Sequence, residues 1–108
     1  MPKYLYLYRG PQPDMSSVTP EMGQAVMDEW NAWFGTVGEA MKDGGTPLMP
    51  GGNVGANSSG AAPVDANGYS IVEAADMAAA KAMLKGHPHL KIPGNSVDVL
   101  EMMPIPGM

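Results

Sequence analysis

Few side chains in this chain could do chemistry, and they are scattered. The two histidines, His87 and His89, sit in a Gly-His-Pro-His run. Two imidazoles with one residue between them could open a zinc or copper site. No third ligand stands near them in the sequence, so the expected role is a helix C-terminus, where a protonated imidazole meets the negative end of the helix dipole. The chain has no cysteine, which removes disulfides, thiolate nucleophiles, zinc–thiolate sites and iron–sulfur clusters. No metal and no cofactor is expected.

The remaining candidates are a few carboxylates, one arginine and a row of phenols. Glu73, Asp98 and Glu101 fall in strand-like segments. A carboxylate enclosed between sheets could have a raised pKa and act as a general base, whereas one at a rim stays solvated. Asp98 and Glu101 are three apart on one strand, so they point to opposite faces and at most one faces inward. Arg9 ends the first strand, where its planar fork could clamp a ligand carboxylate or pair with an acid at the sheet rim. Tyr6 and Tyr8 could donate hydrogen bonds to a ligand or pack in a dimer interface. Tyr6, Tyr8, Arg9 and Glu73 are therefore the candidate ligand-binding residues, and no catalytic residue is assigned.

The elements that must position these groups follow from pattern. Lys3 to Arg9 alternates with period two, placing Leu5 and Leu7 on one face and Tyr4, Tyr6 and Tyr8 on the other. Gly10 to Val18 reads as a loop. Thr19-Pro20-Glu21 starts a helix, with Thr as N-cap and Pro at the first helical position. Met22, Val26, Trp30, Trp33, Val37 and Met41 then form one apolar stripe, which predicts a helix to about Lys42 closed by Asp43-Gly44-Gly45. The two tryptophans are expected in the core, with the 11 methionines as adaptable packing around it. Residues 44–68 are rich in Gly, Pro and Ser, and a structureless loop of that length predicts a hidden short strand, best placed at Asn53 to Asn57. Gly51-Gly52-Asn53-Val54-Gly55 follows no recognisable strand and precedes no helix, so it reads as a mobile flap over a cavity mouth rather than a phosphate loop. Tyr69 to Ala74 is a strand, Asp76 caps a helix from Met77 to Lys85, Ser96 to Met103 is the last strand, and residues 104–108 form an extended tail.

At 108 residues, with 44% hydrophobic and 16% charged residues, the chain is sized for one domain with one core, residues 1–108. The net charge of −5 with no basic cluster disfavours nucleic acid and an anionic membrane surface as partners. No run of eighteen apolar residues is present and the start lacks the apolar block of a signal peptide, so a cytoplasmic location is expected.

The order strand, helix, strand, strand, helix, strand predicts an α+β fold, a ferredoxin-like βαββαβ sandwich with two helices on one face of a four-stranded antiparallel sheet. The other face, carrying either the three tyrosines or the two leucines of the first strand, is then bare. A second copy packing sheet to sheet, as a homodimer, would cover it.

The Tyr-Leu-Tyr-Leu-Tyr opening, Trp30-x-x-Trp33, the Asp43-Gly44-Gly45 turn and the Gly68-Tyr69-Ser70-Ile71-Val72-Glu73-Ala74 strand resemble the YCII-related (YciI-like) family across nearly the whole chain. The resemblance implies a dimeric α/β barrel in which two sheets enclose a space for a small molecule. The histidine–aspartate pair of that family has no counterpart in the first helix or shortly after it, and Val64-Asp65-Ala66-Asn67-Gly68 stands where its Asp-Gly-Pro-Phe signature would be. The leading functional expectation is a YCII-like protein binding a small molecule in a sheet-lined cavity. An enzyme of the same barrel type, abstracting a proton, eliminating or isomerising on a small aromatic or lactone-like substrate, and a structural dimer without ligand are the alternatives.

Overall fold

The computed structural model describes residues 1–11 and 18–105. Four strands, β1 (Lys3–Arg9), β2 (Met41–Asp43), β3 (Ala66–Glu73) and β4 (Ser96–Met102), combine with two helices, α1 (Pro20–Val37) and α2 (Met77–Ala82). The strands form one antiparallel sheet in the order β2-β3-β1-β4. The result is an α+β architecture compatible with a ferredoxin-like fold. Most of the expected loop from Gly10 to Val18, and the end of the tail from Pro106 on, lie outside the described residues.

β1 occupies the centre of the sheet, and its alternation decides what each face does. Tyr4, Tyr6 and Tyr8 are buried, while Leu5, Leu7 and Arg9 are partly exposed. Both helices cover the tyrosine side: Tyr6 packs against Trp33 of α1, and its hydroxyl donates to the Ala80 carbonyl of α2. The core comprises the three tyrosines with Trp33, Val72, Ala74, Ala80 and Leu84, flanked by Trp30, Phe34, Val37 and Met41.

α1 begins as its sequence dictates. The Thr19 hydroxyl accepts a hydrogen bond from the Met22 N–H at 3.1 Å, and Pro20 occupies the first turn. It ends earlier than the apolar spacing predicts. Gly38 adopts φ = +62° and its N–H donates to the Phe34 carbonyl, closing the helix at Val37. A three-residue 3₁₀ turn, Gly38–Ala40, then leads straight into β2. Met41 still packs on the core, but from a strand opposite Val72, so the four-residue spacing from Val37 is met without a helix. This places the second strand at Met41–Asp43 and not at Asn53–Asn57, which is an exposed turn. That turn is bonded to itself, Asn53 N–H donating to the Gly60 carbonyl and Ser58 Oγ–H to the Asn53 carbonyl. Asp43-Gly44-Gly45 is the turn leaving β2. Gly45 has φ = +77°, and a Cβ there would lie 1.6 Å from the Tyr69 carbonyl oxygen, so only glycine fits.

The stripe on α1 is also only half used. Trp30, Trp33 and Val37 reach the core, whereas Met22 and Val26 are 53% and 49% exposed. The three-residue turn to β2 ties the C-terminal end of this 18-residue helix to the sheet, and its core contacts all come from that half, Trp30 to Val37. α2 starts at the Asp76 cap, which accepts from the Ala79 N–H at 2.8 Å, and passes into irregular turns after Ala82.

Candidate functional site

On the covered face, a chain of hydrogen bonds absorbs the groups that looked available for ligands. His87 is fully buried against Trp30, Trp33 and Tyr8. The His89 backbone N–H donates to His87 Nδ1 at 3.0 Å, which assigns the ring proton to Nε2, 3.2 Å from the Tyr8 hydroxyl. Tyr8 in turn donates to Ser70 Oγ at 2.8 Å, and Ser70 donates to the Gly44 carbonyl at 2.9 Å. Every member of this relay has one partner for each role, and it ends on a backbone carbonyl. Burial, with the neighbouring His89 second, lowers the His87 pKa to about 4, so the ring is neutral at pH 7. Burial likewise raises the Tyr6 and Tyr8 phenols to about 12. His89 Nε2 lies 2.9 Å from the Arg9 carbonyl and 3.1 Å from the Ser96 carbonyl; since both are acceptors, this nitrogen must carry a proton. Arg9 and Ser96 face each other across the β1–β4 register, so His89 clasps the end of one strand to the start of the other. The two histidines are thus core components rather than helix-terminal charges. Among the described residues no group of three or more His, Cys, Asp or Glu could hold a metal ion.

The opposite face is built from the alternate residues. Leu5 lies between Ile71 of β3 and Leu100 of β4, and Leu7 lies between Tyr69 and Asp98. Leu5, Leu7 and Ile71 are half-buried, and Leu100 is 49% exposed. Both described helices pack on the tyrosine side, so neither covers this apolar centre. Polar groups frame it. At the end where β1 finishes, Arg9 Nη2 donates to both Asp65 carboxylate oxygens (2.8 and 2.6 Å) and Nη1 to Asp98 Oδ2 (3.2 Å). Hydrogen bonding from Arg9 holds the Asp65 carboxyl below the ordinary aspartate range, and Asp65 followed by Asp98 raises the Arg9 pKa. A cleft of about 480 Å³ opens here, bordered by Arg9, Gly10, Pro11, Asp65, Gly94, Ser96 and Asp98. At the other end, Lys42 Nζ pairs with Glu73 at 3.2 Å and lowers the Glu73 pKa. Between them the Tyr69 hydroxyl donates to Asp43 at 3.3 Å.

The four candidate ligand residues do not converge. Tyr6 and Tyr8 lie in the core beneath the helices, and Arg9 and Glu73 lie on the open face at opposite ends of the sheet. A charge at position 6 would break the core rather than a dimer, because the bare face is the leucine face. Arg9 pairs with acids at the sheet rim, the second of the two roles open to it. Asp98 and Glu101 diverge as strand alternation requires: Asp98 meets Arg9, and Glu101 accepts from the Tyr4 hydroxyl at 3.2 Å. The residues that sequence reasoning passed over are Asp65 and Ser70. Ser70 carried a signal, since three phenols on a strand that turns inward need buried partners. Asp65 carried none, standing in a loop with no periodicity. No helix among the described residues is long and apolar enough to cross a membrane. No protein-family model matches the chain, and neither does any curated protein.

Proposed function

We propose that two copies of this chain pack leucine face to leucine face and enclose a small-molecule site, with the Arg9–Asp65–Asp98 cleft at its mouth. The observation that carries this reading is the open face itself: an apolar centre of Leu5, Leu7, Ile71 and Leu100 ringed by ion pairs, the pattern of an interface core and rim. The strand order, with both helices on one side of the sheet, is compatible with a ferredoxin-like fold, the protomer fold that the YCII-related resemblance implies.

The cleft supports a particular ligand chemistry. Arg9 is already held by two carboxylates, so a ligand would enter through hydrogen-bond donors to Asp65, Asp98 and Ser96 rather than as a carboxylate clamped by a free guanidinium. A small polar molecule bearing hydroxyl or amine groups fits that description. The buried relay through Tyr8 and His87 supplies no base to such a molecule, because it is enclosed on the other side of the sheet. Binding is therefore the reading favoured over catalysis.

Native mass spectrometry of protein purified from its own host tests the proposal. The expected species is a dimer of twice 11.3 kDa carrying a small extra mass that leaves on activation. A monomer would refute the face-to-face reading, and a bare dimer would refute the filled site.

A further inference from the structure

The open face is electrically lopsided along the strand direction. Where β1 finishes, Arg9 is matched by two carboxylates, Asp65 and Asp98, leaving one surplus negative charge. Where β1 begins, Lys3 stands opposite Glu73 in the β1–β3 register, and both Lys42 (3.2 Å) and the amino terminus (3.5 Å) pair with Glu73, leaving a positive surplus. The apolar residues Leu5, Leu7, Ile71 and Leu100 separate the two ends. The six basic residues of the chain divide evenly: Lys3, Arg9 and Lys42 stand on this face, while Lys81, Lys85 and Lys91 lie on α2 and the turns after it.

A two-fold axis that packs a face on its own copy lies in the plane between the two sheets. If that axis runs along the strands, each end meets its own equivalent, positive on positive and negative on negative. If it runs across the strands, each end meets the opposite one, and the complementary contact is made twice. Like charges placed together at an interface are costly and opposite ones fix its register. We propose, building on the face-to-face reading above, that the second copy docks head to tail. The partner's Lys3 and the partner's Lys42 then cover the Arg9–Asp65–Asp98 cleft and neutralise its surplus carboxylate. The cleft is incomplete in one copy, and each site of the dimer draws on both chains.

Sedimentation equilibrium on the full chain tests this with three variants. Lys3→Gln/Lys42→Gln and Lys81→Gln/Lys85→Gln remove the same two charges, the first pair from the open face and the second from the helix side. Head-to-tail docking predicts a dimer dissociation constant about tenfold higher for the first pair than for the second. Asp98→Asn should also weaken the dimer, although it lowers the net negative charge and would strengthen association if bulk repulsion were in control. A dimer that is unchanged or tighter in Lys3→Gln/Lys42→Gln than in the control overturns the head-to-tail arrangement and leaves face-to-face packing standing. A wild-type monomer overturns both.

Discussion

Tyr6 and Leu7 are neighbours on one strand, yet they belong to different problems. Tyr6 is fully buried, with its ring against Trp33 and its hydroxyl on a carbonyl of α2. Leu7 lies half-exposed between Tyr69 and Asp98 with no helix over it. The tyrosine face is a finished core in which the buried phenols, Ser70 and His87 find partners within the chain. The leucine face has the composition of a core and the exposure of a surface. Polar residues in a small protein do not by that fact make its functional site. Here the histidines and three of the four tyrosines rigidify the interior, while the unfinished surface is marked by leucine and isoleucine.

Substitutions on the two faces should separate along this line, beginning with the largest effect. Trp33→Ala empties the middle of the covered face and removes the indole N–H bond to the Met83 carbonyl (2.9 Å), so it should cost about 3–5 kcal/mol in urea unfolding. Acid should act through His87. Unfolded, this group titrates near 6.5; folded, near about 4. Its contribution is therefore complete above pH 6.5 and is lost as pH falls from 6.5 toward 4. Between about pH 7.5 and 5 the loss should be on the order of 2 kcal/mol, and it should shrink in His87→Gln. Equal stability of the wild type at the two pH values would mean that the imidazole is not enclosed. Tyr8→Phe leaves the His87 Nε2–H without an acceptor, an expected cost of about 1–3 kcal/mol. Arg9→Met breaks ion pairs that are one-third to one-half exposed and should leave the urea unfolding midpoint nearly unchanged. A larger loss there would make the rim part of the fold rather than of a site.

Much of this architecture is legible in the amino-acid sequence. Period-two alternation identified β1, the Thr19 and Asp76 caps located both helix starts, and the element order implied the sheet. What alternation could not decide is which face of β1 turns inward, because leucine and tyrosine both tolerate burial. The second strand is hidden for a local reason: it is only three residues long, and Met41 continues the spacing of α1, so a strand residue reads as helical. Gly38, whose positive φ ends the helix, was the readable sign. The site was less legible than the fold. Arg9 pairing with rim acids and the divergence of Asp98 from Glu101 followed from strand geometry. Asp65, His87 and His89 take their roles from contacts distant in sequence: 56 residues separate Asp65 from Arg9, and 79 separate His87 from Tyr8.

The most direct test of the central claim is a single change on the leucine side, Leu7→Glu, read by multi-angle light scattering with circular dichroism on the same sample. The account predicts a chain of unchanged helix and strand content that has become a monomer, because position 7 faces outward from a core complete in itself. A folded Leu7→Glu dimer would contradict it, since the leucine face would then not be the surface that joins two copies.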